Sequence, residues 1–339
     1  MKDFGSVSDN NYYLYKLENN KFVLEVTDYG ATLVSFILKD KNVDVVFGFD
    51  DVRGYVEDVP YMGASIGRVC NRIGEGKFIL NNNEYILNVN NGPNSLHGGN
   101  VGFDKKLWDI KKEDNKLICT YFSKDNEEGY PGNLNVKVTY ELLDDGFSYV
   151  YEGKSDKDTI FSMTNHAFFN FNGPNSNTVL DHKVKCYVDK VAKVDKDGLT
   201  LEETFDVSNT PFDFRDFKEI GKDIDEDFEQ LINGSGYDHH FIVEGNSFRK
   251  MATCKANGIV MDVYSDLPGF HMYTGNFLDG NAKGKNKGTF PRRSAVCFET
   301  QYYPNAINYS LEKKPILRKN EVKKHRTEFI FNGEDRNED

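Results

Sequence analysis

The 339-residue chain holds only 9 prolines, a single tryptophan, Trp108, and five cysteines. Those cysteines (Cys70, Cys119, Cys186, Cys254, Cys297) are scattered, odd in number and never spaced C-x-x-C. That pattern argues against a disulfide framework and against a cysteine-based zinc site. Apolar runs of membrane-spanning length are missing, and the start, M-K-D-F-G-S-V-S-D-N-N, lacks an apolar core of signal-peptide length. A soluble cytoplasmic protein without a membrane partner is therefore expected. Basic charge is short too: the net charge of −12 removes the basic face that nucleic acid or anionic lipid requires. The nucleotide signatures fail as well. Gly98-Gly99 with Gly102 lacks G-x-G-x-x-G spacing, and Gly280–Lys285 is one residue short of a P-loop, with Asn286 where Ser or Thr belongs. There is no H-E-x-x-H and no G-x-S-x-G. Asp238-His239-His240 hints at a metal, but neighbours on a strand point to opposite faces, so at most two of the three could reach one ion. Neither metal nor cofactor is expected.

What the chain has in quantity is Phe (26), Tyr (19) and Gly (29), a composition of strands and turns. Lys21–Val26 and Thr32–Leu38 alternate like half-buried strands. Lys77–Leu80 and Glu84–Leu87 flank Asn81-Asn82-Asn83 as a hairpin. Val136, Val138, Tyr140 and Leu142 share a face, and beyond Asp144-Asp145-Gly146 so do Phe147, Tyr149 and Tyr151. Further short strands are predicted at 241–243, 258–264, 270–273, 295–300 and 327–331. Helical spacing occurs once, at Ile224, Phe228, Leu231 and Ile232. The expected fold is all-β, a large antiparallel β-sandwich: one domain over 1–332, then a polar tail from Gly333 to Asp339 expected to be disordered.

Chemistry gathers in short polar clusters. Thr159–Phe171 reads T-I-F-S-M-T-N-H-A-F-F-N-F: a predicted strand that delivers Asn165 and His166 into a wall of phenylalanines. Aromatic surroundings can tune a histidine's proton affinity; a histidine bonded to backbone in the core is the plainer reading. Gly67–Gly74 places Arg68 and Arg72 in a Gly-bounded segment, suited to forked hydrogen bonding of a polar ligand or to a surface salt bridge. His97 precedes Gly98-Gly99, where backbone or ligand can come close. Asp238 opens a strand or caps a turn. Glu299 interrupts the apolar strand Cys297–Gln301; burying it requires either an arginine partner or proton work. Two histidines, two carboxylates and one or two arginines suit proton movement on a neutral, hydroxyl-rich molecule.

Seven of these segments, in order, resemble the aldose 1-epimerase (galactose mutarotase) family. They are G-R-V-C-N-R-I-G (67–74), N-S-L-H-G-G (94–99), E-E-G-Y-P-G-N-L (127–134), N-H-A-F-F-N-F (165–171), Y-D-H-H-F (237–241), P-G-F-H-M-Y-T-G-N-F-L-D-G (268–280) and F-E-T-Q-Y-Y-P-N-A-I-N (298–308). The resemblance implies the supersandwich fold and interconversion of the anomers of free aldohexoses such as galactose and glucose. It places Glu299 at the general base and His166 at the general acid, with His97 near the reacting ring oxygen. Arg72, Asp238 and Asn71 fall on sugar-binding positions. His271, also a sugar-binding position, stands where many relatives carry Gln as a sugar-hydroxyl donor; Asn305 replaces a usual Asp, and Cys70 a small apolar residue.

Three rival readings are a non-catalytic sugar-binding sandwich, a glycoside hydrolase using Glu299 and Asp238, and an epimerase of hexose 6-phosphates. The last would need a basic pocket, for which Arg292-Arg293 is the nearby pair. The partner expected is a small aldose, for a monomer or homodimer.

Overall fold

Alternation sets the architecture. In Leu134–Leu142 the side chains of Leu134, Val136, Val138, Tyr140 and Leu142 are buried while those between them reach toward solvent. The neighbouring strand Gly146–Ser155 pairs with it antiparallel, bringing Tyr140 opposite Tyr149 and Val138 opposite Tyr151. Each large apolar side chain so buried contributes about 1.5–3 kcal/mol, and directly opposed aromatics add cross-strand contact. The computed structural model describes residues 1–57, 61–174 and 178–333. The tail expected to be disordered falls, beyond Gly333, outside the described residues.

These two strands belong to a nine-stranded antiparallel sheet that also holds Val322–Asn332, Ile259–Ser265 and Arg249–Ala256. A five-stranded sheet comes from the N-terminal part, Lys2–Val7 to Val43–Asp44. A second five-stranded sheet runs in the order Thr200–Asp206, Lys190–Val194, Asp238–Ile242, Gly269–Tyr273, Cys297–Gln301. Their inner faces meet in one cluster. It contains Leu24 and Phe36 of the N-terminal sheet, Tyr149 and Phe329 of the large sheet, and Phe241, Phe270 and Phe298 of the third. Layers closed over a shared core make a sandwich.

The strand Cys297–Gln301 shows how the core positions the chemistry. Thr300 turns inward, its hydroxyl 3.4 Å from that of Tyr149 and 2.6 Å from that of Thr327, and Phe298 joins it in the core. Period-two alternation then sends Cys297, Glu299 and Gln301 to the opposite face.

Two expectations need correction. The helical spacing over 224–232 yields only a short helix, Glu229–Gly234, with Ile232 exposed; turns precede it, and Phe228 starts the helix in an extended conformation. The predicted strand at 159–165 is two two-residue strands, Thr159–Ile160 and Thr164–Asn165, paired with Ile316–Leu317 and Ser65–Ile66 respectively. Both faces of this stretch are buried, so its alternation has no solvent side to mark. His166 sits just past the second strand, pinned by its backbone: its N–H donates to Ala64 (3.0 Å) and its carbonyl accepts from Gly63 (2.8 Å). Trp108 is core, 1% exposed, packed on Phe103 and Tyr121.

Candidate active site

One wall of the site is the outer face of the third sheet. Its registers set Asp238, Tyr273 and Cys297 in one row, His240, His271 and Glu299 in the next, and Ile242, Gly269 and Gln301 in the third. His239 lies on the other face, its ring 4.7 Å from that of Phe212. The opposing wall comes from loops tied by two short ladders. Arg72–Ile73 pairs with Ser95–Leu96, which sets Arg72 beside His97. Ser65–Ile66 pairs with Thr164–Asn165, and Phe169 bridges to Val296, which carries His166 over Glu299. Gly98 makes the approach possible: at φ +90° a side chain there would place its Cβ 1.9 Å from the carbonyl oxygen of Gly67.

Glu299, His166, His97, Arg72, Asn71, Asp238 and His271 all line one cavity of about 470 Å³. The Nε2 of His166 is 3.6 Å from Oε1 of Glu299, with the two side chains 7% and 2% exposed. The rings of His97 and His166 meet edge-on at 5.5 Å. Among the described residues Glu299 pairs with no lysine or arginine, and its Oε2 has no hydrogen-bond partner in the protein. The arginine alternative for this buried carboxylate is thus set aside in favour of a histidine neighbour. The backbone N–H of Asn71 donates to Nδ1 of His97 (3.1 Å). With Nδ1 accepting, the proton of the neutral ring rests on Nε2, which makes His97 a donor.

Asp238 accepts from Nε2 of His271 at 2.7 Å. The guanidinium of Arg72 is steered by Nε donating to Asn91 (2.9 Å) and by Gly198 packed against its face. Arg68 has a different place: 2% exposed, it donates to the Ser123 hydroxyl and to the carbonyls of Lys124, Pro131 and Gly132. Arg293 pairs with Asp225, and Arg292 donates to the Ser235 carbonyl. Asn305 accepts from the backbone of Gly74 and Cys70 lies near Ser162.

Burial dominates the electrostatics. It pushes Glu299 well above the usual carboxylate range, helped by the negative charge of Asp238 and opposed by Arg72. It pushes His166 down to about 4 and His97 well down, the latter also through the nearby His166, Arg72 and His271. Burial would raise Asp238 too, but the His271 hydrogen bond and the charge of Arg72 outweigh it and hold Asp238 low. Two carboxylates in one cavity are thereby driven apart, which is how a site separates a proton-carrying group from a fixed anion.

His97, His166 and Glu299 each bring a ligand atom within 4.8 Å of the others, a spacing a metal ion could use. The Asn71 bond argues for another use: Nε2 of His97 carries a proton, and a metal needs its lone pair.

Several side chains packed around the site's histidines carry no role in the sequence reading. Tyr61 stacks near both histidines, 4.5 Å from the His97 ring and 6.1 Å from that of His166. Tyr273 and Phe168 flank His166, and the Cys297 thiol lies 3.6 Å from its Nδ1. Phe168 belongs to the phenylalanine wall already read after His166; Tyr61 and Gly198 arrive from distant loops. A neighbouring cavity of about 600 Å³, behind Tyr61 and Phe277, is lined by no histidine or glutamate among the described residues.

Fold and cavity together place a buried carboxylate–histidine pair on a β-sandwich, flanked by groups able to hydrogen-bond a polar molecule. Residues 13–329 match the family described as Aldose 1-epimerase. The chain is 38% identical to the galactose mutarotases of Bos taurus and Homo sapiens, across 94% of its length and 93% of theirs. It is 33% identical to the aldose 1-epimerase of Escherichia coli K12, across 95% and 96%. Among solved structures, the galactose 1-epimerase of Lactobacillus acidophilus NCFM superposes with a TM-score of 0.87 at 27% identity, covering 98% of this chain and 97% of that one. An aldose epimerase homologue from C. elegans matches the fold with a TM-score of 0.87 at 24% identity, covering 95% and 99%. The chain belongs to the aldose 1-epimerase family. It is an isomerase that interconverts the anomers of an aldose.

Proposed function

We propose that the enzyme acts on free aldohexoses such as galactose and glucose, with Glu299 as base and His166 as acid. The observation that carries this reading is the 3.6 Å separation of His166 Nε2 and Glu299 Oε1. The C1 hydroxyl and the ring oxygen O5 are attached to the same carbon, so acid and base must converge on one point. Glu299 as carboxylate takes the C1 hydroxyl proton while His166 as imidazolium gives a proton to O5, and the C1–O5 bond breaks to leave the aldehyde. The pair is then neutral, Glu299 protonated and His166 not, which is the form burial favours. Rotation about C1–C2 presents the other face. Glu299 returns its proton to the carbonyl oxygen, His166 recovers one from the C5 hydroxyl, and the opposite anomer closes.

His97, a donor through Nε2, supports O5. Arg72 and Asp238 hold the remaining hydroxyls, with Asn71 and His271 beside them, so that only the C1 end moves. The base is separate from the acid and unpaired with arginine, which a purely binding sandwich would not require. Arg292 and Arg293 are engaged away from the cavity, which favours free sugars over 6-phosphates. Five buried free cysteines suit a reducing cytoplasm, and a monomer or homodimer is proposed.

Polarimetry of freshly dissolved α-D-galactose and α-D-glucose, with and without phosphate on C6, tests the proposal. Mutarotation of the free sugars is accelerated, and Glu299→Gln and His166→Asn each cost a factor of about 10²–10⁴. Near-normal rates in Glu299→Gln overturn the base assignment, and preference for the phosphorylated sugars overturns the substrate assignment.

A further inference from the structure

His271 is the third histidine in the cavity, and both of its ring nitrogens already have partners. Nε2 lies 2.7 Å from Oδ1 of Asp238, and Nδ1 lies 3.3 Å from Nδ2 of Asn71. The direction of each bond is fixed. The Oδ1 of Asn71 accepts from the backbone N–H of Arg72 at 2.8 Å, so the amide cannot be turned over and its NH₂ must face His271. An amide nitrogen only donates, so Nδ1 of His271 accepts and the ring proton sits on Nε2, aimed at Asp238. The backbone N–H of Asn71 meanwhile donates to Nδ1 of His97. One chain of bonds therefore runs Asp238–His271–Asn71–His97 around the cavity, fixing an acceptor at one end and a donor at the other.

We infer that His271 is a positioning residue for the sugar: in its neutral Nε2–H form it holds the Asp238 carboxylate and, through Asn71, the donor orientation of His97. Both nitrogens being engaged, it acts on the sugar through these partners rather than as a hydroxyl contact of its own. This rests on the reading of Asp238 and His97 as sugar-holding groups. The charged and titratable groups around the ring are Asp238 and His240 on the strand at one side, Glu299 on the strand at the other, Arg72 and His97 on the loops, and His166 across the cavity. His239 faces away from the cavity.

The device predicts a separation of binding from chemistry. Breaking the relay at His271 weakens sugar binding, a change in KM, while the chemical step follows Glu299 and His166. Glutamine donates at one end and accepts at the other, so it preserves the relay. Leucine removes it.

The test is KM and kcat for α-D-galactose in the wild-type enzyme, His271→Gln and His271→Leu, with thermal melts to verify folding. Loss of a bond to a charged group raises KM about tenfold or more in His271→Leu, with kcat changed far less. His271→Gln, which keeps both a donor and an acceptor, brings KM back toward the wild-type value. A KM in His271→Leu equal to wild type, or a KM in His271→Gln as high as in His271→Leu, overturns the inference. Should His271→Leu fail to fold, His271→Met takes its place. Activity that survives Glu299→Gln would instead overturn the acid–base reading and leave the His271 result standing.

Discussion

The Nε2 of His166 lies 3.6 Å from Oε1 of Glu299, and both side chains are withdrawn from solvent. Groups this close titrate as a pair. Desolvation drives His166 down to about 4 and Glu299 well up, so the pair carries one proton over a wide span around neutrality. In the proposed mechanism that singly protonated form is the one that opens and closes the ring. The profile of kcat/KM against pH is expected to be a broad bell. Its acid limb marks uptake of a second proton near about 4, and its basic limb, well above the ordinary carboxylate range, marks loss of the last. After burial, the charge of Asp238 is the next cause holding Glu299 high. Asp238→Asn removes that charge, so the basic limb moves to lower pH. A limb that stays put or moves up contradicts this electrostatic account.

Gly198 buttresses Arg72 from a turn more than a hundred residues away in sequence. It adopts φ +76°, and a Cβ there would lie 2.9 Å from the guanidinium carbon. Gly198→Ala pushes the guanidinium out of line and strains the turn. With Arg72 as a sugar contact, KM rises roughly fivefold, equivalent to about 1 kcal/mol, and kcat changes little. Steady-state kinetics on both hexoses reads this directly; a fall in kcat at constant KM would show that Arg72 serves the chemical step instead.

Asp104 offers a stability prediction outside the acid–base pair. Burial raises its carboxyl to about 6, against the smaller lowering effect of Lys105. The folded state thus holds this proton more tightly than the unfolded chain does. Stability is full below the unfolded value of 3.8 and declines as pH rises through about 6. Asp104→Asn removes the buried charge, so it stabilises the protein by about 1–3 kcal/mol at pH 8 and by nothing measurable below pH 4. Urea denaturation at the two pH values checks it. Equal effects at both would mean that the carboxylate's contacts, not its charge, matter.

Much of the sandwich is legible from side-chain alternation. Val136, Val138, Tyr140 and Leu142 are buried together as their spacing requires, and the strand 32–38 is found where it is predicted. Alternation fails where both faces are buried, as at 159–165, because the pattern depends on one face meeting water. The helical spacing at 224–232 misleads for a related reason: four apolar residues satisfy a helix template by chance when turns bury some of them separately.

The sequence by itself supplied the chemical types, the order of the motifs and the reason a carboxylate inside an apolar strand demanded explanation. Each of these is local and needs only residues near one another in the chain. Tertiary structure alone decided which arginine faces the cavity, since Arg68 and Arg72 look alike until Arg68 is seen wrapped in carbonyls. It alone set the tautomer of His97, because a tautomer is set by hydrogen-bond partners that arrive from elsewhere in the chain. And it alone brought His166 to Glu299, across more than a hundred residues, through strand registers and a shared dry core that no local pattern encodes.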